Sequence, residues 1–152
     1  MIHIVPAKPA DAETLTEIAF SAKRHWGYSE RWIEHWRDVL TVRPDTIASN
    51  ETYVAVIEGR IVGFYALESK NDKLELMHMW VLPAEMRRGV GRSLLLHAGG
   101  RAKALGFSKL EIESDPNAEE FYLRLGARRV ASRIRDVDGH RRELPVLIYE
   151  VD

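Results

Sequence analysis

The chain has no cysteine among its 152 residues, which removes disulfides, a thiolate nucleophile and cysteine-bound metal from its chemistry. It has no apolar run of membrane-spanning length and no apolar segment at its start of the kind that directs export. A cytoplasmic protein without membrane association is expected. No charge of one sign dominates: 22 Lys and Arg stand against 23 Asp and Glu, for a formal net charge of −1. General nucleic-acid binding needs a basic face, so no nucleic-acid partner is expected, and no metal is expected either. Repeats and low-complexity stretches are also missing. One domain over residues 1–152 is therefore expected, long enough to bury a sizeable core.

What is present centres on VLPAEMRRGVGRSLLL, Val81 to Leu96. An apolar strand stops at Pro83, and a basic turn carrying Gly89 and Gly91 opens an amphipathic helix. Glycine lets backbone approach a ligand that a Cβ would hold off, and the first helical turn has unpaired N–H groups. The donors of Gly89, Val90, Gly91, Arg92 and Ser93, with the charges of Arg87, Arg88 and Arg92, make an anion site. No Lys-Ser or Lys-Thr pair follows either glycine, which excludes a P-loop. No third glycine sits three residues after Gly91, which excludes a dinucleotide turn.

The preceding KLELMHMWVLP, Lys73 to Pro83, reads as a strand buried on both faces. Downstream, LEIESDPNAEEFYLRLGA, Leu110 to Ala127, reads as strand, turn and helix, with Asp115 as cap, Pro116 at the first helical position and Gly126 as the stop. Ala118, Phe121 and Leu125 share a buried stripe, and Tyr122 projects to its side.

In this order the two segments resemble the GNAT (general N-acetyltransferase) superfamily, over roughly residues 52 to 127. The resemblance implies acetyl-CoA as acyl donor, with its pyrophosphate on the Gly89–Ser93 turn and its arm on main-chain groups of Met79, Trp80 and Val81. The resemblance also implies that Asp115 and Asn117 of the second block border that cofactor. It also implies a splay between the fourth and fifth strands, and Tyr122 beside the sulfur as proton donor. Two departures stand out: Met86 where the family usually has Gln or Arg, and Asp115 where Asn is commoner.

The remaining chain supplies a first strand over Ile2 to Val5 and a helix from Pro9 and Asp11 with Leu15, Ile18, Ala19 and Ala22 inward. After Gly27, Ser29 caps a second helix whose buried face is Trp32, Ile33, Trp36, Val39 and Leu40. Strands Thr52 to Ile57 and Ile61 to Glu68 meet at Glu58, Gly59 and Arg60. A last hairpin pairs Arg128 to Arg135 with Leu144 to Val151 around a charged loop at Asp138 and Gly139. Its arginines, Arg128, Arg129, Arg133, Arg135, Arg141 and Arg142, read as a solvated face. The order β-α-α-β-β-β-α-β-α-β-β gives an α/β protein of the α+β type. Its sheet is mixed and mostly antiparallel, about seven strands, with helices on both faces.

Acetyl transfer to nitrogen needs a base, because amines are protonated at neutral pH. The resemblance points to Glu75, six residues before Val81, as the first candidate, its carboxyl tuned by burial between Leu74 and Leu76. His78 is the alternative, on the opposite strand face unless a bulge shifts the phase. Trp26 and Tyr28, beside Gly27, are the candidates for an acceptor pocket, with Trp32 and Trp36 assigned to the core. The resulting expectation is direct attack by a small-molecule or peptide amine in a ternary complex. The alternative is a non-catalytic acyl-CoA sensor, disfavoured by the presence of both Glu75 and Tyr122. A homodimer is compatible with either.

Overall fold

The computed structural model describes residues 1–151. Seven strands, β1 (His3–Pro6), β2 (Glu51–Ile57), β3 (Arg60–Lys70), β4 (Lys73–Val81), β5 (Lys109–Glu113), β6 (Arg128–Val137) and β7 (His140–Glu150), form one sheet in the order β1-β2-β3-β4-β5-β7-β6. All neighbours are antiparallel except β4 and β5. On one face lie α1 (Ala12–His25), α2 (Glu30–His35), α3 (Arg37–Leu40) and α4 (Pro44–Ser49); on the other lie α5 (Val90–Ala104) and α6 (Glu119–Arg124). The mixed, mostly antiparallel fold expected from the element order is the one observed. Among the described residues no helix is long and apolar enough to cross a membrane.

Strand alternation builds the two cores. Val54 and Phe64 pack with Leu15, Ile18 and Ala19 of α1, while Ala55, Tyr65 and Leu67 pack with Leu94, Leu95 and Ala98 of α5. Central strands covered on both faces read as continuous apolar runs, as Ile61 to Leu67 does.

The segment after Gly27 departs from the expected single helix. It breaks at Trp36, which ends α2 with φ −91° and ψ 6°. The break resets the periodicity, so Ile33 and Leu40 are buried, Trp32 and Trp36 only half-buried, and Val39 is 65% exposed. The expected charged loop of the last hairpin is absent as well. Both strands run on to a tight turn at Asp138 and Gly139, whose positive φ values of 51° and 81° suit a two-residue hairpin.

One irregularity governs the site. Ala66 pairs with His78 but Leu67 pairs with Leu76, which leaves Met77 as an extra, unpaired residue in β4. The bulge puts Glu75 on the same face as His78 and Trp80, opposite Met79 and Val81. Without it, the odd spacing of three residues would have put Glu75 and His78 on opposite faces.

Candidate active site

The basic turn is shaped by two left-handed residues, Arg87 at φ 66° and Gly89 at φ 84°. Gly89 is the N-cap of α5, and the first helical hydrogen bond there runs from Ser93 N to Gly89 O at 3.0 Å. The N–H groups of Val90, Gly91 and Arg92 precede that bond and have no intrahelical acceptor. No acidic residue occupies the first turn, and Arg87, Arg88 and Arg92 are exposed around it. Arg88 also reaches toward Glu85, whose Oε1 is 3.6 Å from its Nη1. Met86, the departure from the family pattern, is half-buried and extended.

The two glycines do different work. Gly89 permits the left-handed cap, whereas a Cβ on Gly91 would stand 2.9 Å from Phe121 Cζ. Gly91 therefore seats α5 against α6, and the close approach that the sequence suggested for a ligand is made by an aromatic ring.

Beside this turn, β4 and β5 pair at one position only, Glu75 with Glu111. From Met77 onward β4 has no strand partner on that side among the described residues, and the β5-side backbone groups of Met79 to Val81 are left for another partner. Trp80 turns toward α1 and its Nε1–H donates to His78 Nδ1 at 3.0 Å. Burial pushes the His78 pKa down to about 4. The ring is thus neutral at physiological pH, with its accepting nitrogen occupied and its proton on Nε2.

Glu75 is half-buried rather than enclosed. It lines an open cleft of ≈ 240 Å³ with Glu111, Glu113, Arg133 and Arg135. Two of the hairpin arginines pair with an acid here while staying largely on the solvated face: Arg133 lies 3.0 Å and Arg135 2.7 Å from Glu113 Oε1. Burial alone would raise the Glu113 pKa, but hydrogen bonds and charge from these two guanidiniums outweigh it and hold the carboxyl below its ordinary range.

At the far end of β5, Asp115 caps the short 3-10 turn Pro116–Ala118 by accepting from Asn117 N at 2.8 Å. Its carboxylate also accepts from Lys23 Nζ at 2.7 Å and Tyr28 Oη at 3.0 Å, and Asn117 Nδ2 donates to Tyr28 Oη at 3.1 Å. Asp115 and Asn117 are thus engaged with α1 and the loop behind it. Burial opposes ionisation of Asp115, yet Lys23, Asn117 and Tyr28 together keep its pKa low. Burial, above all, lowers the pKa of Lys23, and burial with the Asp115 charge lifts that of Tyr28 to about 12. Tyr122, expected beside the α6 stripe, is its most buried member at 5% exposure. Burial, followed by the Asp115 charge, raises its pKa, so its phenol is protonated at any physiological pH.

Of the two expected pocket residues, only Tyr28 joins this cluster. Trp26 is half-buried with its ring against His25, at 5.3 Å. Trp32 and Trp36 take its place, 5.9 and 5.0 Å from the Tyr28 ring. Lys23 and Arg142 were not anticipated. Each had a signal in the sequence: Lys23 lies four residues after the buried Ala19, and Arg142 shares strand parity with Leu144, Val146 and Ile148.

Residues 13–127 match the acetyltransferase (GNAT) family, and solved structures match the whole fold. A GCN5-related N-acetyltransferase from Rhodopseudomonas palustris superposes with a TM-score of 0.81 at 22% identity, over 98% of this chain and 95% of that one. PaiA N-acetyltransferase from Thermoplasma acidophilum, in complex with coenzyme A, gives 0.78 at 23% identity over 99% of both chains. YncA from Salmonella typhimurium, solved with acetyl-CoA, gives 0.75 at 22% identity over 100% and 95%. No curated protein matches in sequence. The chain belongs to the GNAT family of acetyltransferases.

Proposed function

We propose that the chain is an acetyl-CoA-dependent N-acetyltransferase whose acceptor is a primary amine of a small molecule or peptide, attacking directly while both substrates are bound. The observation that carries this reading is the joint presence of a left-handed glycine cap with free N–H groups on α5 and an unpartnered β4 edge beside it. The first fits a diphosphate, through Gly89 to Ser93 with Arg87, Arg88 and Arg92 around them. The second fits an arm carrying amide groups, through the main chain of Met79 to Val81.

Acetyl-CoA, when bound, supplies an acetyl group activated as a thioester. The chain's own residues would manage the protons. The Tyr122 hydroxyl holds the proton that the departing sulfur takes up. Glu75 receives the acceptor's proton through water in the cleft it lines. The engaged nitrogen of His78 suits it to fixing the Trp80 indole rather than to acting as base. Asp115 and Asn117 hold the turn ahead of Tyr122.

Calorimetry and thermal unfolding test this directly. Acetyl-CoA should bind and raise the melting temperature where ATP and NAD do not, and thiol release should depend on added amine. No heat on titration with acetyl-CoA, or the same response to all three nucleotides, would remove the proposal.

A further inference from the structure

The cluster beside the β4–β5 gap contains more positive than negative charge. Arg142 is half-buried, its guanidinium carbon 5.1 Å from the Tyr28 ring, 5.3 Å from that of Trp36 and 5.6 Å from that of Trp32. Its Nη2 donates to Tyr28 Oη at 2.7 Å, its one acceptor among the described residues. A guanidinium carries about five N–H donors, so most of its capacity is unmet. The carboxylate of the cluster, Asp115, belongs to Lys23 at 2.7 Å. Lys23 and Arg142 therefore share one acid in surroundings made largely of aromatic carbon, where uncompensated charge is costly.

The neighbouring acids do not redress this. Glu113 is held by Arg133 and Arg135, and Asp138 by Arg31 at 2.6 Å. The rings and the Tyr28 hydroxyl fix the Arg142 guanidinium without neutralising it, and a guanidinium already fixed loses little entropy on capturing a carboxylate by two parallel hydrogen bonds. The position suits a substrate. The Tyr28 oxygen that Arg142 touches also meets Asp115 at 3.0 Å, and Lys23 Nζ, bound to the same carboxylate, lies 6.0 Å from the Trp80 ring of β4.

We propose that Arg142 sets acceptor specificity: the amine acetylated by this chain bears a carboxylate that docks on Arg142, its body lying against Tyr28, Trp32 and Trp36. The assignment rests on the transferase reading and names the substrate class of that same site.

The test compares matched ligands that differ by the carboxylate alone. N-acetylphenylalanine, N-acetyltryptophan and N-acetylmethionine are titrated against the corresponding N-acetylated, carboxylate-free amines, with binding read by calorimetry. At least one carboxylate-bearing member should bind about tenfold more tightly than its counterpart. Arg142→Gln should erase that difference and leave the neutral ligands unchanged, and Arg142→Lys should retain part of it. The free amino acid should likewise show a lower KM than its decarboxylated form, at similar kcat. Equal affinity within every pair, no binding by any carboxylate-bearing member, or equal losses for both members in Arg142→Gln would overturn the assignment. Acetyl-CoA binding is measured on the same samples. If it fails, the transferase reading falls too; if it holds while neutral amines are acetylated as well as amino acids, only the role of Arg142 falls.

Discussion

Tyr122 has a packing role and the chemical one proposed for it, and the two separate by substitution. Its ring fills the core beneath α6 and its hydroxyl carries the proton assigned to the leaving sulfur. Tyr122→Phe keeps the ring, so the melting temperature and the acetyl-CoA dissociation constant should stay close to wild type. Turnover should fall by about 100-fold, measured as amine-dependent thiol release. His78 acts on stability instead. Its pKa in the folded chain, about 4, lies below its ordinary 6.5, so below pH 6.5 the unfolded chain takes up a proton that the folded one refuses. Stability from this residue is complete above about pH 6.5 and is lost as pH falls toward 4, at a cost of roughly 2.5 kcal/mol by pH 4.5. Urea unfolding at pH 7 and pH 4.5 should show a smaller drop in His78→Gln than in wild type. These residues were legible as candidates because few side chains carry such chemistry. Their protonation was not legible, since it depends on Trp80 Nε1–H and on burial that neighbouring strands supply.

Among the elements, α5 is the best specified by local sequence. A glycine cap, basic residues around the first turn and an inward stripe of Val90, Leu94, Leu95 and Ala98 all lie within one short segment. What local sequence did not indicate is the function of Gly91, because Phe121 comes from thirty residues further along. Gly91→Ala should push the Phe121 ring away, destabilise the protein by about 1–3 kcal/mol and weaken acetyl-CoA binding. Urea unfolding and calorimetry on the variant check both effects; unchanged values would mean that the ring yields freely. The β4 bulge is a second case. Nothing in KLELMHMWV marks Met77 as the extra residue, and the register with β3 selects it. The α2–α3 break is a third, since an apolar period continuing through Trp36 to Val39 cannot show that the chain turns there.

At the scale of the molecule, the ion pair of Lys23 with Asp115 ties α1 to the turn leading into α6, across the gap between β4 and β5. Both side chains are close to fully buried, at 11% and 9% exposure. Lys23→Met leaves the carboxylate without its cation and should cost about 3 kcal/mol in urea unfolding. The double variant with Asp115→Asn should recover part of that loss. Hydrogen exchange should show faster opening around Pro116–Ala118 in the single variant; protection equal to wild type would show that the pair does not hold the two layers together.

The order of the seven strands, their alternation outside the β4 bulge and the glycine-capped basic helix start follow from the sequence by itself, because each depends on residues within a few positions of one another, whereas four helices stand before β2 where the sequence indicated two. Tertiary structure alone decided which groups meet: Glu75 on the His78 face, Trp36 beside Lys23, and Arg142 among three rings. Those neighbours are brought together by strand register and layer packing. A one-residue slip in register turns a side chain to the opposite face of the sheet, and no short window of sequence records that choice.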